Sequence, residues 1–279
     1  MARVVSLTEA ARLVPDAATI GLVPSMPAAT LARELVRRGA RRLHLVSVPS
    51  GNLVVDLLIG AGCADTVDTS GVSIGEISYA PWFRRRAQDG SLRVNDATCP
   101  ALINQVRAAA MGVPFLPIQG LIGSDFEKLR PDWKVIVDPF HPAARVALVP
   151  SLPVDVALLH AYRADRDGNV ELYGGSEAAL LARAASTVIV SAEEVLDRPL
   201  RSVRRGRTLL PARLVAAVAH APRGSWPVDA PGLYPADFAA QEAYAEAAAA
   251  GGETWTRWLH GFLAGPEAPR FREGRLLAG

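Results

Sequence analysis

ALLHAYRADRDGNVELYGGSEAALLARAASTVIVSAEEVL, residues 157–196, joins two apolar runs through a turn and a helix. The first run ends in His160, and the second, residues 187–190, is followed by a pair of glutamates at 193–194. The Asp-Gly-Asn sequence at 167–169 favours a turn, because glycine and asparagine tolerate positive φ. Two apolar strands joined by a helix, with polar groups at their carboxyl ends, are typical of a parallel α/β sheet and its ligand site.

The same alternation of apolar strands and helices precedes this stretch. Strands are predicted at 18–23, 43–48, 64–70 and 92–95, and helices at 28–38, 52–61, 80–89 and 100–111. The exception is a predicted hairpin, in which strands at 133–138 and 144–149 flank a proline-rich turn. We therefore predict an α/β fold with an open, mostly parallel sheet flanked by helices.

The end of the chain differs from the rest in composition. Beyond Arg201 prolines and predicted loops become frequent, and helices are expected at 236–250 and 253–264. The sequence has no internal repeat and no separate linker. We predict that residues 1–220 form the main domain and that residues 221–279 form a helical C-terminal extension packed on the same domain.

Composition and charge narrow the possible partners. The net charge is only +2 and the arginines are interspersed with acids, so a clustered basic surface for nucleic acid is not expected. Cys63 and Cys99 lack the spacing of a metal site, and we expect no metal. No apolar run reaches the length of a membrane span, and the first residues lack the apolar core of a signal peptide. These features predict a cytoplasmic protein with no membrane partner.

The polar residues taken alone assign no reaction. GVSIG, residues 71–75, has the glycine spacing of a nucleophile elbow, but the next predicted helix begins only at Pro81. His160 fits a buried structural histidine better than an acid or base. Of the adjacent Glu193 and Glu194, one can face a cleft, whereas the alternative is a carboxylate at a helix N-terminus.

Four blocks of sequence together resemble the alpha (A) subunit of family I CoA-transferases, of the glutaconate CoA-transferase type. The blocks are FRRRAQDGSLRV (83–94), RAAAMGVPFLPIQGLIGSDF (107–126), VALVPSLPVDVALLHAYRADRDGNVELYG (146–174) and VIVSAEEVLD (188–197). The resemblance covers most of the chain and is weakest at the N-terminal turn and beyond about residue 220.

This resemblance implies a CoA-transferase/isomerase-like fold and a separately encoded, homologous beta subunit, in an α2β2 heterotetramer or a larger assembly. In this family the catalytic glutamate belongs to the beta subunit. It attacks the acyl-CoA thioester, forming an acyl-glutamyl anhydride and then a glutamyl-CoA thioester. The implied substrates are coenzyme A thioesters and carboxylic acids, with no permanently bound cofactor. The implied function is CoA transfer between carboxylic acids.

The chain departs from the family pattern at its first turn. Family alpha subunits carry a glycine-rich turn of the kind G-G-F-G after the first strand, where this chain has LVPSMP at 22–27. Proline lacks a backbone N–H, which weakens an oxyanion role, although Ser25 can supply both a hydroxyl and an N–H. We expect Ser25 and Met26, with Gly71 and Ser73 in a following loop, to bind the substrate or the oxyanion.

With the reacting glutamate expected on the partner, the catalytic candidates on this chain are Asp96, Cys99 and Glu193. A related branch of hydrolases opens rings in CoA thioesters of steroid fragments and carries an acidic residue where Cys99 stands here. Asp96 could reach the site from a shifted register, and Cys99 is either a nucleophile or a packing cysteine. Two alternatives to transfer therefore stay open: a hydrolase subunit of the same fold, and a non-catalytic or regulatory subunit.

Overall fold

The computed structural model describes residues 3–175, 177–264, 271–272 and 275–276. Parts of the predicted 221–279 extension, residues 265–270, 273–274 and 277–279, lie outside the described residues.

The strands are β1 (Arg3–Val5), β2 (Thr19–Leu22), β3 (Leu43–Ser47), β4 (Ala64–Thr69), β5 (Ser73–Ile74), β6 (Ser78–Tyr79), β7 (Arg93–Asp96), β8 (Phe115–Ile118), β9 (Lys134–Val137), β10 (Arg145–Pro150), β11 (Val154–Asp165), β12 (Val170–Tyr173), β13 (Ala185–Leu196), β14 (Arg207–Leu210), β15 (Ala217–His220), β16 (Phe271–Arg272) and β17 (Arg275–Leu276).

Nine α-helices are found in the described part of the chain. They are α1 (Leu7–Arg12), α2 (Ala29–Arg37), α3 (Leu53–Gly60), α4 (Pro81–Gln88), α5 (Cys99–Met111), α6 (Phe126–Leu129), α7 (Ala178–Ala184), α8 (Phe238–Ala250) and α9 (Gly252–Ala264). None of the helices among the described residues is both long and apolar enough to cross a membrane.

The central sheet has ten strands, eight of which run parallel in the order β1-β15-β13-β11-β2-β3-β4-β7. The strands β12 and β14 add an antiparallel arm to β11. Helices cover both faces of the sheet. Because side chains alternate between the two faces along each strand, one strand can contribute residues to both cores. On β3, Leu45 packs with the core under α1, α2 and α3, whereas Val46 packs with the core under α5 and α7. The predicted mostly parallel sheet flanked by helices is confirmed.

The predicted hairpin is also present, as part of a separate small sheet. Its order is β8-β10-β9, and both pairings are antiparallel. The inner face packs against α5 through Ala147, Val149 and the half-buried Val135.

The strands of the opening stretch are longer than the sequence predicts. β11 and β13 stay paired as far as Asp165 and Leu196, so Glu193 lies inside a strand and not at its end. The added length of β11 is explained by the β12–β14 arm, which pairs with the end of that strand. In this arm the buried carboxylate of Glu171 accepts hydrogen bonds from Arg163 and Arg207. Such long-range partners allow polar residues to continue a buried strand.

The C-terminal helices are attached to the first half of the chain by specific contacts. The Tyr244 hydroxyl on α8 donates a 2.7 Å hydrogen bond to Asp56 on α3, and Asp56 also accepts the N–H of Phe83 near the start of α4. Arg37 on α2 donates to the Leu263 carbonyl at the end of α9. The helical C-terminal segment is therefore confirmed, while the division of the chain at residue 220 stays a prediction.

Candidate active site

The carboxyl ends of the parallel strands form one edge of the central sheet, and the strand order reverses there. From β2 the chain proceeds outward through β3, β4 and β7, whereas from β11 it proceeds outward in the other direction through β13 and β15. Ligands of open α/β sheets bind beside such a reversal, at the carboxyl ends of the strands. Four loops meet this edge, and six of the seven residues predicted to form the site lie on or directly beside them.

The first loop, after β2, holds Ser25 and Met26. Met26 adopts a positive φ of 50° and is 1% exposed, packed with Tyr162 and Ala230. The loop therefore contains the left-handed backbone that glycine would supply, even though its sequence has none. Within the described residues, the N–H groups of Ser25 and Met26 have no hydrogen-bond acceptor. Two adjacent free donors beside a left-handed residue form a concavity that suits an anion.

The second and third loops, after β3 and β4, are joined by backbone hydrogen bonds. The N–H of Gly51 donates to Gly71 at 2.8 Å, and the N–H of Ser73 donates to Gly51 at 3.2 Å. A side chain at Gly51 would lie 2.9 Å from Val72, so this close approach requires glycine. Gly71 and Ser73 are thus held in one rigid unit at the sheet edge.

The third and fourth loops meet through Ser70 and Cys99. Cys99 is the first residue of α5, which Thr98 caps by accepting the N–H of Ala101. The Cys99 thiol is exposed and lies 3.1 Å from the Ser70 hydroxyl, which donates to the Pro49 carbonyl at 2.7 Å. Because the Ser70 hydrogen is already used, we infer that the thiol donates to Ser70.

Ser70 is the residue of this site that sequence reasoning missed. The sequence predicts it at the end of a strand, whereas it directly follows β4 and its side chain bonds two other loops. A serine between a predicted strand and a glycine is the only signal that the sequence offers.

Asp96 lies at the end of β7, beside the same loops. Its backbone carbonyl accepts a 2.8 Å hydrogen bond from Arg130, and the next residue, Ala97, donates to Thr69. The Asp96 side chain is exposed and has no hydrogen-bond partner within the described residues. Its carboxylate is therefore available to a bound molecule or to water.

Glu193 lies elsewhere, in a buried network around His160. Its carboxylate receives hydrogen bonds from the Tyr234 hydroxyl at 2.7 Å and the Arg223 N–H at 2.6 Å, and lies 2.9 Å from Nε2 of His160. Nδ1 of His160 lies 2.8 Å from the Ser191 hydroxyl. This serine–histidine–glutamate connection has a fully buried serine, so no substrate reaches it. The geometry agrees with the structural interpretation of His160.

The same network shifts two pKa values. Burial raises the pKa of Glu193, but the hydrogen bond and charge of His160, followed by Tyr234 and Arg223, outweigh it, so the pKa is lowered overall. Burial and the adjacent Glu193 raise the pKa of the Tyr234 hydroxyl far above its usual value. Glu193 therefore stays ionised and Tyr234 stays protonated at neutral pH.

No cluster of three or more histidine, cysteine, aspartate or glutamate side chains that could hold a metal ion occurs in the described part of the chain. What the four loops offer is free backbone N–H groups, three serine hydroxyls, a thiol and a carboxylate. These groups can bind an oxyanion and move protons, which is the chemistry of acyl transfer.

Comparison with known proteins identifies the family of this chain. A family model described as Coenzyme A transferase matches residues 4–221. The alpha (A) subunit of 3-oxoadipate CoA-transferase from Pseudomonas knackmussii is 35% identical over 279 aligned residues, covering 95% of this chain and 95% of that relative. The structure of glutaconate coenzyme A-transferase from Acidaminococcus fermentans has a TM-score of 0.82 at 26% identity, covering 94% of this chain and 89% of that one.

A second solved structure is similar over almost its whole length. A cysteine-to-serine variant of the decarboxylase AibA/AibB has a TM-score of 0.80 at 31% identity, covering 94% of this chain and 98% of that one. The family and the fold predicted from the four sequence blocks are thus confirmed. The chain belongs to the coenzyme A transferase family, as a homologue of its alpha subunits.

Proposed function

We propose that this chain is the alpha subunit of a heteromeric CoA-transferase that moves coenzyme A between carboxylic acids. The observation that carries the proposal is the pair of free N–H groups at Ser25 and Met26, at the reversal point of the sheet. Similarity to the alpha subunit of 3-oxoadipate CoA-transferase, over nearly the full length of both chains, supports the same role.

The proposed reaction needs a glutamate from a partner beta subunit. Its carboxylate attacks the thioester carbonyl, the carbonyl oxygen becomes an oxyanion, and the C–S bond breaks to give an acyl-glutamyl anhydride and coenzyme A thiolate. The thiolate then attacks the glutamyl carbonyl and releases the first carboxylic acid, leaving a glutamyl-CoA thioester. The acceptor acid reverses both steps. The Ser25 and Met26 N–H groups would donate to the oxyanion formed in the first step.

The other groups of the site have supporting roles in this proposal. Gly71 and Ser73 form the floor beside the acyl group, and the Ser70–Cys99 pair forms its polar wall. The substrates are coenzyme A thioesters and carboxylic acids, and no permanently bound cofactor is needed. We further propose an α2β2 assembly in the cytoplasm, where coenzyme A thioesters are made and used.

Hydrolysis of a CoA thioester is the second candidate, and Asp96 favours it. The carboxylate of Asp96 is exposed and unpartnered within the described residues, just before the helix that begins at Cys99. A free carboxylate beside a thioester can take a proton from water and so direct it at the bound substrate. In that case the acyl group would pass to water and not to a second acid.

One experiment separates the candidates. The chain is produced together with its beta partner and given a panel of acyl-CoA donors with an isotopically labelled acceptor acid. Transfer predicts labelled acyl-CoA and a stoichiometric release of the donor acid. Release of free coenzyme A with ¹⁸O from water in the product acid indicates hydrolysis. A complex that assembles but turns over no thioester in the panel contradicts both.

A further inference from the structure

The strand β9 has a free edge. Inside the small sheet, the N–H of Asp138 donates to the Ala144 carbonyl at 3.0 Å. Because neighbouring residues of a strand point their backbone groups to opposite sides, Val135 and Val137 turn their N–H and C=O groups away from β10. No strand pairs with this side of β9 among the described residues. The edge thus offers two donors and two acceptors.

The opposite edge of the same sheet is protected. On β8, the residues whose backbone groups point away from β10 are Phe115 and Pro117, and proline has no N–H to donate. Proline on an edge strand is a common device against pairing with another chain. On β9 no proline interrupts the strand, and Ile136 and Val137 are 41% and 57% exposed. Of the two edges of this small sheet, the β9 edge is therefore the one open to an added strand.

The sequence around β9, Lys-Val-Ile-Val-Asp at 134–138, is complementary to itself in antiparallel orientation. When two copies are aligned with Ile136 opposite Ile136, Val135 of each copy faces Val137 of the other. These are the residues whose backbone groups point outward, so each pair exchanges two hydrogen bonds. All the free backbone N–H and C=O groups of Val135 and Val137 are then hydrogen-bonded.

The same register pairs opposite charges. Lys134 of each copy lies opposite Asp138 of the other, and opposite charges directly across a ladder stabilise it. In the single chain, one carboxylate oxygen of Asp138 accepts the N–H groups of Phe140 and His141, while the other has no hydrogen bond within the described residues. Lys134 uses one of its three N–H groups, on the Pro131 carbonyl.

We propose that β9 is a homotypic interface, through which two copies of this chain pair antiparallel about a two-fold axis at Ile136. The two small sheets become one six-stranded sheet. A cavity of about 640 Å³ on the outer face, lined by Phe115, Ile136, Phe140 and Leu148 among others, lies directly beside the pairing edge. Its apolar surface then continues across the axis, which satisfies the self-complementarity that a two-fold interface requires.

The first test removes one outward N–H. Val137→Pro deletes a donor that the single chain does not use, and proline is tolerated at such edge positions. The matched control, Val137→Thr, keeps the N–H. Native mass spectrometry of the complex with the beta subunit should show two copies of this chain for the wild type and the control, and one copy for Val137→Pro. An unchanged mass for Val137→Pro, with an unchanged melting temperature, overturns the proposal.

The second test does not depend on how well the proline variant folds. Two residues facing each other in a non-hydrogen-bonded pair have Cα atoms about 4.5 Å apart, within reach of a disulfide. Ile136→Cys, in a Cys99→Ser background, should form a disulfide-linked dimer of this chain under mild oxidation. The control is Leu209→Cys in the same background, at a similarly exposed position on β14 of the central sheet, and it should form no such dimer. Absence of that dimer, or a disulfide formed only with the beta subunit, would assign the edge to another partner and reject the homotypic pairing.

Discussion

The side-chain amide of Asn52 donates a 2.8 Å hydrogen bond to the carbonyl of Pro24, which joins two loops of the site. Its oxygen accepts the N–H of Val54 at 2.9 Å and caps α3. One side chain therefore fixes the start of a helix and the position of the turn that presents the free N–H groups of Ser25 and Met26.

Replacing Asn52 separates these two tasks. Asn52→Asp keeps a cap for α3 but replaces the donor with an oxygen that repels the Pro24 carbonyl, so we expect kcat of the complex to fall about tenfold, the equivalent of about 1.4 kcal/mol, while α3 keeps its cap. Asn52→Ala loses both contacts and should also lower the free energy of unfolding by about 1 kcal/mol. Steady-state kinetics and urea unfolding measure the two effects. Wild-type kcat for Asn52→Asp would show that the Pro24 contact is not needed.

The oxyanion role of the first loop is tested at Ser25. Ser25→Pro removes the N–H donor, and loss of one such donor costs about 10²–10³ in kcat. Ser25→Ala removes only the hydroxyl and should retain most of the activity if the N–H is the donor. Gel filtration with the beta subunit checks that both variants assemble. Equal losses in both variants would assign the role to the hydroxyl.

The left-handed backbone at Met26 predicts that Met26→Gly is more stable than Met26→Ala. Alanine and glycine both remove the buried side chain beyond Cβ, so both variants leave nearly the same space against Tyr162. At a φ of 50°, however, alanine keeps the backbone strain and glycine relieves it. Met26→Gly should therefore unfold at higher urea than Met26→Ala, by about 1 kcal/mol. The reverse order would show that the loop relaxes out of the left-handed region.

The two cysteines should differ sharply in reactivity. Burial raises the pKa of Cys63 to about 11, which makes it a poor nucleophile, whereas Cys99 is exposed at the candidate site. One equivalent of iodoacetamide at pH 8 should therefore modify Cys99 alone, inhibit the complex and be slowed by saturating acyl-CoA. Peptide mass spectrometry locates the label. Cys99→Ser should resist inhibition, and labelling at a rate indifferent to acyl-CoA would place Cys99 outside the substrate site.

The buried network makes stability depend on pH in a defined direction. The pKa of Glu193 in the folded chain lies below its ordinary value of 4.5, so its stabilisation is complete above that value and is lost as the pH falls through the lowered pKa. The difference in free energy of unfolding between wild type and Glu193→Gln should thus be about 1–3 kcal/mol at pH 7 and shrink below pH 4.5. A difference that stays constant down to about pH 3 would contradict the ionised pairing with His160.

Much of the parallel sheet could be predicted because strands such as β2 and β3 are short, largely apolar runs, each followed by a helix. The second half of β11 could not, because the half-buried Arg163 and the buried Asp165 depend on partners that lie outside the strand. Asp165 accepts the N–H of Leu200, and Arg163 pairs with Glu171. Local patterns describe a side chain's polarity but not whether a distant partner will satisfy it.

The candidate site shows the same limit. The sequence without glycine at 22–27 predicts a poor oxyanion turn, yet Met26 adopts the left-handed conformation, with its side chain buried against Tyr162 and Ala230. Ser70 was missed because its role depends on Pro49 and Cys99, which lie on two other loops. Residue types indicated the sheet edge, whereas the geometry there depends on how the loops meet.

The contact between Tyr244 and Asp56 has a consequence for how the chain is made. The two residues are 188 positions apart, and Asp56 lies one turn beyond Asn52 on the helix that steadies the first loop. Burial raises the pKa of Asp56, so this carboxylate is costly to enclose before its donors arrive. A chain still on the ribosome has α3 and α4 but no Tyr244. The helix that steadies the first loop can therefore be fully packed only late in synthesis, and a beta subunit that binds earlier would meet an unfinished surface.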